Sequence, residues 1–134
     1  MTGSSGTTSP IVLDASAVLA LLAEEPGADE VEGLLDGSAM STVNLSEVLQ
    51  KSMQHGVGTE GLEYDLQGLG VELYPFDIVH ARAAAELWER TPRGGLSLGD
   101  RACLALAAGL GAVAVTTDRR WSSIGHGVPV RVVR

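Results

Sequence analysis

The alternation of short apolar runs with helical segments constrains the fold of this chain more than any other feature. Ile11, Val12 and Leu13 form the first apolar run, and a helical pattern, SAVLALLAE, follows it. The runs predict strands over residues 11–14, 38–41, 71–76, 112–115 and 130–133. Strands that alternate with helices form a parallel sheet covered on both faces. We therefore predict an α/β protein, a three-layer α/β/α domain with a central, mostly parallel sheet of four to five strands.

Helices are predicted between the strands, where apolar residues recur three and four positions apart. The predicted segments are 16–24, 28–36, 42–55, a helix that opens at Thr59, 77–90, 97–109 and 118–124. The helix over 77–90 has apolar residues spaced for burial at Val79, Ala83, Leu87 and Trp88. We interpret Trp88 and Trp121 as packing residues rather than platforms for stacked bases.

The chain has 134 residues, the size of one domain with a proper core. Its first nine residues, MTGSSGTTS, are rich in Gly, Ser and Thr, so we expect a flexible tail over 1–9 and a single domain over 10–134. No apolar stretch approaches the roughly 18 residues of a membrane span. The one cysteine, Cys103, excludes an internal disulfide framework and favours a reducing cytoplasm. Its Leu and Ala neighbours predict a buried thiol.

The net charge of −8 argues against broad affinity for nucleic acids, which requires basic surface to neutralise phosphates. It does not exclude a metal enzyme that acts on nucleic acid, because acids that bind cations are neutralised when the metal is present. Only one of the nine basic residues is a lysine, Lys51. Contacts with a polyanion would therefore come chiefly from arginine. Arg119 and Arg120 could make such contacts, or they could form a solvated helix face.

Four acids occupy positions where a ligand could bind. In open parallel sheets, ligands bind beyond the carboxyl ends of the strands. Asp14 follows the first strand and Asp118 follows the run AVAVTT. Glu47 and Asp100 fall in early turns of predicted helices, within VNLSEVL and LSLGDRACLALA.

Each of these acids also has a purely structural explanation. Asp14 could cap the helix that follows it, and Asp118 could cap the last short helix. Glu47 could pair with Lys51 four residues on. Asp100 could form a capping box with the serine three residues before it. Taken singly, the four acids leave both interpretations open.

Asp100 is the acid that a structural role explains least well. Cys103, Leu104 and Ala107 follow it at helical spacing, so Asp100 lies on the stripe that should face the core. A carboxylate on that stripe is costly unless it is paired, hydrogen-bonded or bound to a metal. Arg101, on an adjacent face, is the one basic residue close to it in sequence. Several converging carboxylates would suit Mg²⁺ or Mn²⁺, which prefer oxygen ligands.

The four acidic segments, taken together, resemble in order and spacing the motifs of the PIN-domain family. They are IVLDAS at 11–16, STVNLSEVL at 41–49, GLSLGDRACLALA at 95–107 and VTTDRRW at 115–121. Their flanking residues are most similar to those of VapC-type ribonuclease toxins from bacterial toxin–antitoxin pairs. The resemblance covers residues 10–133, which is essentially the whole predicted domain.

The resemblance implies a Mg²⁺- or Mn²⁺-dependent ribonuclease that hydrolyses RNA phosphodiesters with a metal-activated water. The implied catalytic and metal-binding residues are Asp14, Asp100, Asp118 and, often through a water, Glu47. Polar residues that match supporting positions are Ser16, Asn44 and Thr116, for which ordinary capping is the alternative. Arg119 and Arg120 would then be candidates for RNA contact.

The resemblance also implies two protein partners, a small VapB-like antitoxin and a second copy of the chain. The apolar segments SAVLALLA and VEGLL carry more hydrophobic residues than one buried stripe requires, which independently favours a partner helix or a dimer interface. The residues predict no membrane contact.

The main alternative is a non-catalytic PIN-like module that regulates through a protein partner. It would share the fold and differ only in activity. A phospho-acceptor receiver needs a lysine late in the chain, and a haloacid-dehalogenase-like phosphatase needs D-x-D where this chain has Ser16. Zinc is disfavoured because the three histidines are widely separated in sequence.

Overall fold

Five short strands run parallel through the middle of the molecule. The structure is a computed structural model that describes residues 10–134, so the tail predicted over 1–9 lies outside the described residues. The strands are β1 (Ile11–Leu13), β2 (Ala39–Ser41), β3 (Glu72–Tyr74), β4 (Val113–Thr116) and β5 (Val130–Val132). They form one sheet in the order β3-β2-β1-β4-β5, and every neighbouring pair is parallel. The predicted α/β class and strand number are confirmed.

Helices connect consecutive strands, as the alternation predicts. They are α1 (Ala15–Leu22), α2 (Ala28–Glu32), α3 (Thr42–Gln54), α4 (Leu62–Gly68), α5 (Ile78–Arg90), α6 (Leu98–Leu110) and a short 3-10 helix (Arg119–Ser122). Helix α4 begins later than predicted because Gly61 takes a left-handed conformation with φ 77°, which a helix cannot include. Helix α6 continues through Gly109 and ends before Gly111, whose φ of 63° forms the cap.

The two faces of the sheet carry two separate apolar clusters. Val12 of β1 and Ala114 of β4 face one cluster, which includes the buried residues of α5 and α6. The next residues along, Leu13 and Val115, face the other cluster, with residues of α1, α2, α3 and α4. Successive side chains of a strand point to opposite faces. Helices therefore cover both faces, and the predicted three-layer arrangement is confirmed.

The buried face of α5 differs from the prediction. Ala84 and Leu87 are buried, whereas Val79 is 71% exposed and Trp88 is 47% exposed. The Arg101 guanidinium of α6 also contacts this helix, because it donates to the Ala84 carbonyl oxygen at 3.0 Å. Trp88 instead lies beside Arg93, whose guanidinium carbon is 5.4 Å from the ring centre. The packing role is wrong for Trp88 and confirmed for the fully buried Trp121.

The strand order brings β1 and β4 together, although about a hundred residues separate them in sequence. Leu13 pairs in register with Val115, so the two strands end side by side. The chain moves from β1 toward β2 in one direction and reaches β4 on the other side, which makes this pair the switch point of the sheet. Ligands of open α/β sheets bind at such points. No helix of residues 10–134 is long and apolar enough to cross a membrane.

Candidate metal centre at the carboxyl ends of β1 and β4

Four acidic side chains lie around the carboxyl ends of β1 and β4, and we call this group the acidic rim. Asp14 directly follows β1, and Asp118 is the second residue after β4. Glu47 lies in the second turn of α3, and Asp100 lies in the first turn of α6. The negative charges of Asp100 and Glu47 both act on the Asp14 carboxyl and raise its pKa. The fold therefore places these three acids within range of one another's charge.

Asp14 is the buried member of the rim, with 6% of its surface exposed. Its Oδ2 accepts hydrogen bonds from the Ser16 hydroxyl at 2.7 Å and the Thr116 hydroxyl at 3.0 Å. The two hydroxyl oxygens in turn accept from the backbone N–H groups of Thr117 and Asp118. The two hydroxyl oxygens are also 3.2 Å apart, but for each of them the contact with Asp14 is shorter, which favours both hydroxyls as donors to the carboxylate. Ser16 and Thr116 thus support the carboxylate rather than cap a helix.

The helix-capping alternative for Asp14 is wrong. Asp14 occupies the N-cap position of α1, but its side chain accepts no hydrogen bond from a backbone N–H of that helix. The hydroxyl donors of Ser16 and Thr116 hold the carboxylate at the strand end instead. Among the described residues no group donates a hydrogen bond to the second oxygen, Oδ1. This oxygen is not fully buried by residues 10–134 either. One oxygen is therefore held, and the other is available to a ligand.

Burial is the main cause that raises the pKa of Asp14 from 3.8 to about 6. The hydrogen bonds from Ser16 and Thr116 lower the pKa of Asp14, whereas the negative charge of Asp100 raises it further. In the described part of the chain, no cation contacts this carboxylate to offset the cost of its charge. A desolvated carboxylate beside two other acids is stabilised by a bound cation.

Glu47 is turned toward α6 and away from Lys51. Its Oε1 accepts a hydrogen bond from the Asn44 amide at 3.0 Å, and the same amide nitrogen donates to the Gly99 carbonyl oxygen at 3.0 Å. No Glu47–Lys51 ion pair is present among residues 10–134, so the surface-pair alternative is wrong. Asn44 is fully buried and links the two helices across the rim.

Gly99 is a site residue that the sequence interpretation missed. A Cβ atom at this position would overlap the Glu47 carboxyl group, so Glu47 can lie against α6 only because residue 99 is glycine. A glycine in the first turn of a helix costs about 0.5–1 kcal/mol relative to alanine, which signals a steric reason for its presence. That signal, next to Asp100, was available in the segment LSLGDRA.

Asp100 forms the predicted capping box. Its Oδ2 accepts from the Ser97 backbone N–H at 2.9 Å, and the Ser97 hydroxyl accepts from the Asp100 N–H at 3.2 Å. Cys103, Leu104 and Ala107 are fully buried along the same stripe, while Asp100 is half-buried at its end. The capping role is confirmed, and it engages only one of the two carboxylate oxygens.

Asp118 is paired locally with Arg120. Its Oδ1 accepts from the Arg120 backbone N–H at 2.9 Å and so caps the 3-10 helix, as one alternative predicts. The Arg120 guanidinium also binds both carboxylate oxygens, with Nη2 at 2.7 Å from Oδ2. The hydrogen bond from Arg120 lowers the pKa of Asp118. Arg119 is exposed and has no ion pair within the described range, so its predicted RNA contact stays a prediction.

The sequence profile of the PIN domain family matches residues 11–127, which is most of the chain. The chain belongs to the PIN domain family. Comparison with curated protein sequences gives no match.

Solved structures with the same fold as this PIN domain include toxin–antitoxin complexes. A complex from Klebsiella pneumoniae superposes with a TM-score of 0.72 at 16% identity, covering 91% of this chain and 96% of that chain. DNA-bound VapBC from Salmonella typhimurium gives a TM-score of 0.70 at 17% identity, with coverages of 93% and 98%. VapBC-5 from Mycobacterium tuberculosis gives 0.56 at 21% identity, with coverages of 95% and 99%. At these identities the likeness shows the fold.

The donor chemistry of this PIN domain fits a hard divalent cation. The rim offers carboxylate oxygens, and the fully buried Asn44 has an Oδ1 without a hydrogen-bond partner in the described structure. Oxygen ligands of this kind suit Mg²⁺ and Mn²⁺. The side chains are not gathered, however, because no three His, Cys, Asp or Glu side chains within residues 10–134 stand as a ready ligand set.

Proposed function

We propose that this PIN domain is a VapC-type toxin, a Mg²⁺- or Mn²⁺-dependent endoribonuclease that hydrolyses RNA phosphodiester bonds in the cytoplasm. The observation that carries the proposal is Asp14. It is a buried carboxylate at the switch point of the sheet, its pKa is raised to about 6 by burial first and by neighbouring acids, and no described cation contacts it. Burying a charged carboxylate costs free energy, and a bound cation would offset that cost. The position of Asp14 is therefore suited to holding a cation.

In this proposal Asp14, Asp100 and Asp118 hold the cation, and Glu47 contributes directly or through a water. A divalent cation in such a site supplies Lewis acidity, which lowers the pKa of water and neutralises phosphate charge. Ser16 and Thr116 keep Asp14 oriented by their fixed hydrogen bonds.

Two further residues of the rim have a positioning role in this proposal. Asn44 holds Glu47 against α6, where the absence of a side chain on Gly99 leaves room for it. Their effect on the reaction would therefore pass through Glu47.

The charge distribution is compatible with an anionic substrate only when the rim is neutralised. The chain has a net charge of −8, so the metal-free protein repels a polyanion. A bound cation converts the rim into the place where a phosphate is attracted. Arg119 and Arg120 are exposed next to Asp118 and are the nearest basic residues in sequence for contact with RNA.

The proposed partners are a VapB-like antitoxin and a second copy of the chain. The VapBC structures from Salmonella typhimurium and Mycobacterium tuberculosis share this fold. In this chain, an open cavity of about 390 Å³ lies between α1 and the end of α3, lined by Leu19, Leu22, Ala23, Glu25, Lys51, Ser52, His55 and Val57. Leu22 and Val57 are 45% and 57% exposed there, which supports an apolar partner segment at this surface.

RNA cleavage by the purified protein, freed of any antitoxin, tests the proposal. We expect fragments of total RNA to appear with Mg²⁺ or Mn²⁺ and to disappear with a chelator. Asp14→Asn should abolish cleavage while the circular dichroism spectrum is retained. Asp77→Asn is the matched control, because Asp77 also occupies the N-cap position of a helix but its side chain is exposed and lies outside the rim. Cleavage that survives both chelation and Asp14→Asn would refute the proposal.

The second candidate function is the non-catalytic PIN-like module, and the observation in its favour is the local pairing of Asp100 and Asp118. With both carboxylates engaged by Ser97 and Arg120, the rim is not a ready ligand set. A protein that binds its partner normally but cleaves no RNA under any divalent metal would favour this module.

A further inference from the structure

Both oxygens of the Asp118 carboxylate already accept hydrogen bonds from Arg120. A carboxylate offers about four lone-pair sites on its two oxygens. Oδ1 accepts from the Arg120 backbone N–H at 2.9 Å and Oδ2 accepts from Nη2 at 2.7 Å, while the single Nε hydrogen is shared between Oδ1 at 3.1 Å and Oδ2 at 3.2 Å. A metal that coordinates Asp118 directly would therefore compete with the guanidinium, which contacts both carboxylate oxygens.

The backbone bond and the side-chain bonds differ in how easily they break. The backbone bond caps the 3-10 helix and is fixed by the local fold. The Arg120 guanidinium is 66% exposed and is held by the carboxylate of Asp118 alone among the described residues. Exposed ion pairs contribute little stability, so the side chain can move away at small cost. The guanidinium is the partner that gives way.

We propose that Arg120 is an internal counter-ion that competes with the divalent cation for Asp118 and is displaced when the cation binds. This inference rests on the metal site of the proposed function. The negative charge of Asp100 also acts on Arg120, so the guanidinium offsets charge from two members of the rim. Arg120 thereby sets the cation concentration at which the rim becomes loaded, and in the metal-free protein it limits the repulsion among the acids.

Mn²⁺ binding to the full chain, measured by electron paramagnetic resonance of the free ion, tests the competition without any RNA. Arg120→Ala should bind Mn²⁺ roughly threefold to tenfold more tightly than the wild type, since one exposed ion pair no longer opposes the cation. Arg120→Lys keeps the charge but loses the planar guanidinium. Its affinity for Mn²⁺ should therefore lie between those of the wild type and Arg120→Ala. Arg119→Ala is the matched control, with the same charge change on the adjacent exposed residue, and should change the affinity less than about twofold.

A double-mutant cycle separates a contact with Asp118 from a general charge effect. In an Asp118→Asn background the metal affinity should fall, and Arg120→Ala should then have no further effect. A gain in Mn²⁺ affinity from Arg120→Ala that persists in this background would overturn the inference.

Nuclear magnetic resonance of the arginine side chains provides an independent readout of displacement. During a titration with diamagnetic Mg²⁺, the Arg120 Nε–H signal should shift with the same midpoint as metal binding, and the Arg119 signal should not. In Asp118→Asn, the Arg120 signal should resemble the metal-loaded position before any Mg²⁺ is added. An Arg120 signal that stays unchanged while the metal binds would overturn the inference.

The results distinguish this inference from the proposed function. If the wild type binds Mn²⁺ and Asp14→Asn does not, the metal site stands. Equal Mn²⁺ affinities of Arg120→Ala and the wild type would then overturn the counter-ion role alone. If neither protein binds Mn²⁺, both the metal site and the counter-ion role are wrong. Binding by Arg120→Ala but not by the wild type would be the strongest support.

Discussion

The acidic rim and a second acidic region of the molecule contain similar numbers of carboxylates in very different surroundings. The second region, which we call the outer mouth, borders a cavity of about 900 Å³ between α1 and α2. Its acids are Glu24, Glu25, Asp29, Glu30 and Glu32. All but the half-buried Glu30 are exposed, and Glu30 is paired with Arg131 at 2.6 Å. In the rim, by contrast, Asp14 is buried, and no cation of residues 10–134 contacts it.

This comparison indicates that desolvation of a carboxylate, rather than the number of acids or the size of a cavity, distinguishes the candidate cation site. Charges in the outer mouth are hydrated and screened by salt, so their mutual repulsion costs little. The carboxylate of Asp14 has lost most of its water, and its pKa of about 6 records that cost. The cavity of the outer mouth therefore lies away from the proposed metal site.

The largest expected difference between the two regions is in metal affinity. Asp14→Asn should weaken Mn²⁺ binding at least about 100-fold, because it removes a proposed ligand. The double variant Glu24→Gln/Glu25→Gln, which removes two charges from the outer mouth, should change the affinity less than about twofold. Titration calorimetry measures both. A larger loss in the outer-mouth variant than in Asp14→Asn would reverse the contrast.

Gly99→Ala tests whether the rim needs the close approach of Glu47 to α6. The added methyl group would overlap the Glu47 carboxyl group, so we expect RNA cleavage to fall at least about tenfold. A Cβ atom at Gly109, in the same helix, would meet no atom of residues 10–134 within 4 Å beyond its own helix backbone, so Gly109→Ala should stabilise the fold by about 0.5–1 kcal/mol with unchanged activity. Thermal unfolding and a cleavage assay measure these effects. Full activity in Gly99→Ala would show that the position of Glu47 is unimportant.

The pKa of Asp14 predicts a pH-dependent stability of the metal-free protein. The pKa is raised on folding, so this group's contribution to the free energy of unfolding is complete below its ordinary pKa of 3.8 and is lost as the pH rises through about 6. A shift of this size corresponds to about 3 kcal/mol. Asp14→Asn should therefore exceed the wild type in stability at pH 7.5 in a chelator, by up to that amount.

Urea unfolding at several pH values measures this difference. The advantage of Asp14→Asn should appear between pH 4 and 6 and shrink when Mg²⁺ is added to the wild type. Asp77→Asn exchanges one good helix cap for another, so its stability should remain within about 0.5 kcal/mol of the wild type. Equal stability of Asp14→Asn and the wild type at pH 7.5 would show that the negative charge on Asp14 does not destabilise the fold.

The smallest expected effect concerns the hydroxyl groups that hold Asp14. Ser16→Ala removes a donor to Asp14 and the acceptor of the Thr117 N–H, which should cost about 1 kcal/mol and raise the pKa of Asp14 further. Ser46→Ala, at an exposed position of α3, should stay within about 0.5 kcal/mol. Indistinguishable unfolding curves for Ser16→Ala and Ser46→Ala would contradict the supporting role of Ser16.

The sequence by itself determined the class of fold and the location of the rim. The periods of the apolar residues distinguish strands from helices, and their alternation leaves a parallel sheet as the simple solution. Acids that follow β1 and β4 must then lie at one edge of that sheet. Asp14 and Asp118 could be assigned to this edge before any contact was known.

Only the tertiary structure decided what each carboxylate contacts. The hydrogen bond from Thr116 to Asp14 joins residues 102 positions apart. The close contact of the Glu47 carboxyl group with Gly99 depends on how α3 approaches α6. The local sequence around each acid is equally consistent with a helix-capping role and a metal-ligand role, because both roles place an acid at the start of a helix. Competition among neighbouring donors settles each case: Ser16 and Thr116 hold Asp14, whereas Arg120 holds Asp118.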